Sequence, residues 1–492
     1  MGVSESIFYS ASWYLLITLI GLLTLPITLR VFRFLPDRGY TFSRILGLLL
    51  WSFVYWLLAS LGVLYNQIGG ILFAVGILLV LSLLALQGLD RAGLKIWWRR
   101  NRGMVFTAEI LFAAAFIAMI AVRGLTPDIV GTEKPMELAF INSILNSDTF
   151  PPHDPWLSGY AISYYYFGYV MVGMLAMITG ASGGIAFNLG ISLIFSMAAI
   201  GAYGLVFNLL QLRSKDKKNQ GVFISLLGPL FILIVSNLEG FLHSLHEKGL
   251  FWVRGENGVL VSSFWKWLDI KDLNIPPTEP FSWVPDDFWW WWRASRVVQD
   301  YNFLRSPLEI INEFPFFSFL LADLHPHVLS IPFMILVAAF GLNLFLFKDT
   351  FSRNQIRLRI NLRTISWFVL ALVPTSLLIA WAGIVNLSLI LLGTGLLLLL
   401  GCLGVAWLIS PYFTQHRWRL LSSSEIGSWT GRFDLRIGWI DLLVLGVTVG
   451  GLAFLNTWDI LIGVILVAGS FAAWRIYNAD AGVRLGALVK AV

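Results

Sequence analysis

The sequence predicts an all-α fold, a polytopic bundle of transmembrane helices with large outer loops, and three observations carry that prediction. The 492 residues are 58% hydrophobic and 13% charged, with a mean hydropathy of +0.77, well outside the range of soluble domains. Apolar stretches of about 18 to 28 residues recur, each long enough to cross a hydrocarbon core of about 30 Å as helix. Most of the 34 lysines and arginines fall in six short groups between those stretches. Helix is the form expected, because a segment in lipid must satisfy its own backbone hydrogen bonds.

Taken in order, the expected crossings are residues 6–29, 44–65, 68–89, 104–124, 184–211, 221–243, 315–347, 364–385, 387–410, 438–456 and 458–474, about eleven in all. The first lacks a basic n-region and a small-residue cleavage site, so it reads as a span that stays rather than a signal peptide. The base groups then set orientation: Arg30, Arg33, Arg38 and Arg44; Arg91, Lys95, Arg99, Arg100 and Arg102; Arg213, Lys215, Lys217 and Lys218; and the groups within 348–363, 417–436 and 475–490. Placing all six in the cytoplasm satisfies the positive-inside rule and puts the N-terminus outside, in a multi-pass protein of the cell membrane. That spread of bases also argues against a nucleic-acid partner; the partners expected are membrane lipids.

One apolar segment, residues 164–180, does not fit the count. A full crossing there would carry Arg213 to Lys218 outside, so it reads as an interfacial or re-entrant helix at the outer leaflet, its Tyr164-Tyr165-Tyr166-Phe167 start suited to headgroups. The seventh crossing is the longest and includes a turn or two above the membrane. Two outer loops are large, 125–183 and 244–314, and loops of that length without a domain of their own are often functional. Cys402 is the only cysteine, so no intramolecular disulfide forms. The chain stops soon after its last span, as the front part of a longer protein would.

Chemistry-bearing residues concentrate on the outer side. Asn312 to His327 read Asn-Glu-Phe-Pro-Phe-Phe-Ser-Phe-Leu-Leu-Ala-Asp-Leu-His-Pro-His and run into an apolar stretch, so Asp323, His325 and His327 sit at the mouth of a span. Three titratable groups in that position cost several kcal/mol unless they face one another or a polar cavity. Glu133, Asp154, Glu239, Glu313 and Asp459 fall on the same side, with five of the six histidines. The alternative for the block is a wet helix start without chemistry, and for Glu239 a buried polar contact between helices. His325 and His327 lie on different faces of a regular helix and form no helical metal site, but Pro326 disrupts the helix and can turn both to one cavity. Asp323, a histidine and a loop carboxylate would then suit Mg²⁺ or Mn²⁺. Arg293, Arg296, Arg305 and Arg123 can hold a phosphate or anchor headgroups. The run Trp289 to Trp292 suits an interfacial belt or a platform for a sugar or prenyl chain. No Walker loop, dinucleotide glycine fingerprint, GxSxG or HExxH is present.

The first outer loop, Thr132-Glu133-Lys134-Pro135-Met136-Glu137-Leu138 followed by Phe150-Pro-Pro-His153-Asp154-Pro-Trp156, resembles that of the polytopic GT-C glycosyltransferases, which use polyprenyl-phosphate sugars. The resemblance implies a loop carboxylate acting as base or metal ligand, at Glu133, with Asp154 and Glu239 as further catalytic residues. A closer resemblance is to an uncharacterised bacterial and archaeal membrane family named for its triple tyrosine. Ser163-Tyr164-Tyr165-Tyr166-Phe167-Gly168, Asn312 to Phe319, Asp323 to His327 and Asn456-Thr457-Trp458-Asp459 look like its signatures. Together the resemblances imply three additional helices over residues 1–103 and a GT-C-like core over 104–492. They also imply a substrate site lined by Tyr164, Tyr165, Tyr166, Arg293, Arg296, Glu313, Asp323, His325, His327 and Asp459. The activity implied is sugar transfer from a polyprenyl-phosphate donor at the outer face. A transporter or flippase using the same acids and histidines is the competing expectation, and a noncatalytic scaffold the third.

Overall fold

The computed structural model describes residues 3–87, 89–213, 221–285, 290–347 and 439–477, with 358–361, 373–374, 376–377, 380, 396, 398–403 and 428–431. Two compact units are present, residues 1–348 with 440–492, and residues 349–439. The larger unit opens with α1 (Val3–Val31), α2 (Ser43–Ser60), α3 (Ile68–Leu86), α4 (Arg91–Leu125), α5 (Lys134–Asn146), α6 (Phe167–Thr179) and α7 (Gly183–Arg213). A short α8 (Leu227–Pro229) and a π-helical turn (Leu230–Val235) lead to α9 (Glu239–Glu247), α10 (Ser263–Leu268) and α11 (Trp290–Ala294). Then come α12 (Pro315–Leu321), α13 (Pro326–Phe345), α14 (Trp439–Leu455) and α15 (Thr457–Tyr477). Two small antiparallel pairs ornament the stretch between α9 and α12: β1 (Val253–Arg254) with β2 (Leu260–Val261), and β3 (Gln299–Tyr301) with β4 (Pro307–Glu309). In the smaller unit the described residues include one antiparallel pair, β5 (Leu358–Asn361) with β6 (Ser428–Gly431).

Among the described residues, by length and apolar composition α1 to α4, α7, α13 and α15 can each cross a membrane, seven helices, or eight with the bent segment Ile224–Val235 and Glu239–Glu247. Expected crossings 364–385 and 387–410 lie mostly outside the described residues. Expected crossing 438–456 is α14, whose 17 residues fall short of the usual span of about 20. Two expected crossings are not single helices. Residues 221–243 bend by 70° after Val235, where Ser236 takes φ 51°. Residues 315–347 are α12 and α13, parted by Ala322 at φ 61° and restarted by Pro326 in the first turn of α13. Left-handed geometry costs a non-glycine residue about 1 to 2 kcal/mol, so the surrounding packing holds both breaks in place. Hydropathy sees only the apolar run and cannot see the break.

The interfacial or re-entrant helix corresponds to α6, and its burial corrects the surface-lying alternative. Every residue from Phe167 to Ala176 is buried among neighbouring helices, and Gly180 in left-handed geometry stops it. A helix lying on a leaflet would leave its apolar face to lipid; this one is spent inside the protein. The boundary at 103 falls within α4, which runs unbroken from Arg91.

Close helix approach depends on small residues, as is usual where lipid offers no hydrophobic drive between helices. A Cβ on Gly47 would stand 2.7 Å from Thr24 Oγ1, and one on Gly341 would stand 2.8 Å from Ser470 Oγ. Polar ties add specificity: Trp51 Nε1 donates to Ile71 O at 3.1 Å, and Arg44 on α2 makes two hydrogen bonds to Glu109 on α4, at 2.8 and 2.6 Å. Arg44, counted among the loop bases, is thus a paired residue inside the bundle. The helix ends sort into two sets. Arg33 pairs with Asp441 at the start of α14, and Trp97 near the start of α4 donates to Pro36 O, so the ends carrying Arg30 to Arg38 and Arg91 to Arg102 lie together. The ends of α2 and α4 and the starts of α7, α13 and α15 form the opposite end.

Candidate functional site

At that opposite end α5 meets the turn between α12 and α13. Pro135 in the first turn starts α5 with Glu133 at its N-cap, and Glu137 follows one helical turn later on the same face. Glu137 is fully buried, and its Oε2 accepts the Leu324 backbone N–H at 3.0 Å while Oε1 lies 3.2 Å from His325 Nδ1. Glu133 Oε2, more exposed, lies 3.1 Å from the same Nδ1. On the far side of the ring, Tyr164 meets His325 Nε2 at 3.1 Å. His327 Nε2 stands 2.7 Å from Glu313 Oε2, and the two histidine rings lie 5.3 Å apart. Pro326 therefore does turn both imidazoles to one place: the helix restarts there, with His325 at its N-cap in extended geometry.

Asp323 lies at the bottom, 6% exposed. Its backbone N–H is used by Ser318 O at 3.0 Å, yet no donor among the described residues reaches its Oδ1. The ligand-type atoms of Glu137, Asp323 and His325 lie within 4.8 Å of one another, and so do those of Glu313, Asp323 and His327. Burial and the facing charge of Glu137 push the Asp323 carboxyl up to about 8. Burial pulls the His325 imidazole down, but its hydrogen bond to Glu137 and the charges of Asp323, Glu137 and Glu133 outweigh that and raise it. Contact with His327 and its charge hold Glu313 below the usual carboxylate range. Burial, then the charge of Glu133, push the Tyr164 hydroxyl up to about 12. Lys134, 8% exposed, feels both Asp323 and Glu137, and burial with nearby Arg123 pulls it down. The arrangement is an acid-rich cleft, sealed at Asp323 and Glu137 and open at Glu133 and Glu313.

The other expected site residues are placed differently. Asp154 accepts from the Trp156 and Leu157 amides at 2.9 and 2.8 Å, an Asx turn that shapes its loop. Glu239 lies 3.5 Å from Arg293 Nε, and Arg293 meets His243 Nε2 at 3.0 Å, a second polar group between α9 and α11. Arg296 pairs with Glu309 at 3.0 Å and lies over the Trp292 ring at 3.6 Å. Arg123 donates to Asn188 at 2.7 Å. Asp459 accepts from Ser330 Oγ, which also reaches His327 O, so it ties α15 to the first turn of α13. Of the three tyrosines, Tyr164 alone has a hydroxyl contact to the cluster; Tyr165 packs on Tyr164, and Tyr166 accepts from Trp56 at 3.2 Å. Trp291 packs on Phe317, and Trp289 lies outside the described residues.

Sequence reasoning passed over Glu137 and Lys134. The four-residue spacing from Glu133 to Glu137, after a proline helix start, was the available signal. No curated protein and no solved structure matches the chain. The model of an uncharacterised membrane protein family, DUF2298, matches residues 50–396, and the chain belongs to that family. The match covers α5 and the α12–α13 turn alike.

Proposed function

We propose that this DUF2298 membrane protein is a transferase that moves a sugar from a polyprenyl-phosphate donor to an acceptor hydroxyl at the outer face of the membrane. One observation carries the reading: the carboxylates that open α5 meet the Asp323 to His327 turn at the end of the bundle away from the clustered bases. The resemblance of that loop to GT-C enzymes supports it, and so does the lipid environment that any such donor needs.

In this reading Glu133, at the open mouth, takes the proton from the acceptor hydroxyl as its oxygen bonds to the sugar carbon. The bond from that carbon to the lipid phosphate breaks, and the phosphate leaves with the electron pair. Lys134 supplies positive charge where the phosphate oxygens gather negative charge. Tyr164 orients His325, and Asp323 with Glu137 forms the floor. Glu239 and Arg293 belong to the neighbouring wall, and Asp154 acts by holding the loop.

The test is consumption of lipid-linked sugar by purified protein in liposomes, comparing wild type, Glu133→Gln and Asp323→Asn at matched folding. Loss of turnover in Glu133→Gln supports the assigned base. One observation favours a second reading, transport: two expected crossings are each broken, at Ser236 and at Ala322, as helices are in transporters, and Phe316 N at the start of α12 donates to Ser236 Oγ at 3.1 Å. No turnover across a broad donor panel, with proton or solute flux sensitive to Asp323→Asn, would move the protein to that class.

A further inference from the structure

We infer that the cluster is a two-cation centre for Mg²⁺ or Mn²⁺, in which Asp323 is the ligand shared between the ions. Glu137 and His325 would complete one side, Glu313 and His327 the other. The inference does not depend on sugar transfer and would hold for a transporter equally.

Three observations lead to it. First, the donor atoms form two triads that intersect at Asp323 alone, each triad drawn within 4.8 Å. Around a single octahedral ion, neighbouring ligand atoms stand about 3 Å apart and opposite ones about 4 Å, so side-chain adjustments of about an ångström would close each triad. Two ions sharing a carboxylate sit about 3.5 to 4 Å apart, the spacing of two-metal sites that act on phosphate oxygens. A separation of 5.3 Å between the imidazole rings, one for each ion, fits that spacing.

Second, Asp323 is buried and its Oδ1 receives no hydrogen bond among the described residues, while the Glu137 carboxylate stands beside it in the same triad. A buried polar atom without a partner is costly and calls for one. Two ionised carboxylates facing each other repel; a shared proton or a cation between them removes that repulsion, and a cation also reaches the open Oδ1.

Third, acids crowd the cleft. Glu133, Glu137, Glu313 and Asp323 surround it, with Lys134 as a buried lysine that feels Asp323 and Glu137. Oxygen-rich ligands with one imidazole each, and no thiolate, select a hard divalent ion. Glu133 and Glu313 at the open mouth give the ions a way in.

The experiment is a Mn²⁺ titration of the purified full chain in detergent, without any substrate, read by electron paramagnetic resonance. Wild type should take up two Mn²⁺ per chain, with the bound signal broadened by spin–spin coupling. Asp323→Asn, close in size to the native residue, should lose both ions, with its unfolding temperature showing that the fold persists. The double variant Glu313→Gln/His327→Gln, at the exposed side, should keep one ion with an uncoupled signal. Absence of Mn²⁺ binding at millimolar concentration, binding unaffected by Asp323→Asn, or one ion per wild-type chain would each overturn the proposal. Because no donor is present, failure of the transfer reading leaves this result untouched, and the reverse holds as well.

Discussion

Asp37 and Asp323 are aspartates buried at opposite ends of one helical unit, 0% and 6% exposed, and their surroundings treat them in opposite ways. Asp37 accepts from Gly39 N and Asn208 Nδ2 at 2.9 Å each, from the Thr41 hydroxyl at 2.6 Å and from the Thr41 amide at 3.4 Å. Both of its oxygens are used by neutral donors, so the carboxylate ties the turn after α1 to α7 and has nothing left to offer. Asp323 has an oxygen that no donor reaches and other carboxylates for neighbours. Burial alone therefore does not mark a functional acid. Whether its lone pairs are already satisfied does, because only the unsatisfied one gains from a proton, a cation or a substrate.

The contrast can be broken by experiment, and the largest effect expected is on activity. Asp323→Asn should lower turnover of a lipid-linked sugar by about 10³-fold while the unfolding midpoint in detergent stays about the same, since the neutral amide replaces a carboxyl that burial and Glu137 already push up to about 8. A loss of stability as large as that of an Asp37 variant would make the two acids equivalent. Asp37→Ala should cost about 3 kcal/mol of folding stability, measured by denaturant unfolding in mixed micelles, because four donors lose their acceptor. Turnover per folded molecule should be unchanged. Gly204→Ala sharpens the same point: its Cβ would stand 1.8 Å from Thr41 Oγ1 and push that hydroxyl off Asp37, at a cost of about 2 kcal/mol in the same assay. Glu137→Gln should cost only about 1 kcal/mol, since an amide oxygen can still accept from Leu324 N–H. Asp154→Asn should lie within about 0.5 kcal/mol of wild type, because asparagine makes the same turn.

Much of this was legible in the sequence, and the rest was hidden for definable reasons. Apolar length revealed α1 to α4, α7 and α15, and the base groups separated the two ends. The Asp323 to His327 block drew attention because charge at the mouth of a span has to be compensated, and Glu133 because of the loop it opens. Breaks at Ser236 and Ala322 were invisible, since neither residue is one that normally takes left-handed geometry. Glu137 carried no distinguishing mark within its loop; only the arrival of Leu324 and His325 from almost two hundred positions away makes it a buried acid. The arginines of the second loop were read as holders of a phosphate or anchors for headgroups, whereas Arg293 and Arg296 have Glu239 and Glu309 beside them, a pairing that spacing cannot foretell.

The 35 residues of α4 have a further consequence. At 1.5 Å per residue, Arg102 and Arg123 on this one rod are roughly 32 Å apart, close to one hydrocarbon thickness. With charged groups fixed at both heights, the helix acts as a gauge that sets how deep the protein rides in its bilayer. Glu133 follows α4 by a short turn, so the working depth of the acidic cleft is set by a rigid length. A bilayer of longer acyl chains would draw that cleft toward the oily phase, and one of shorter chains would lift it into water.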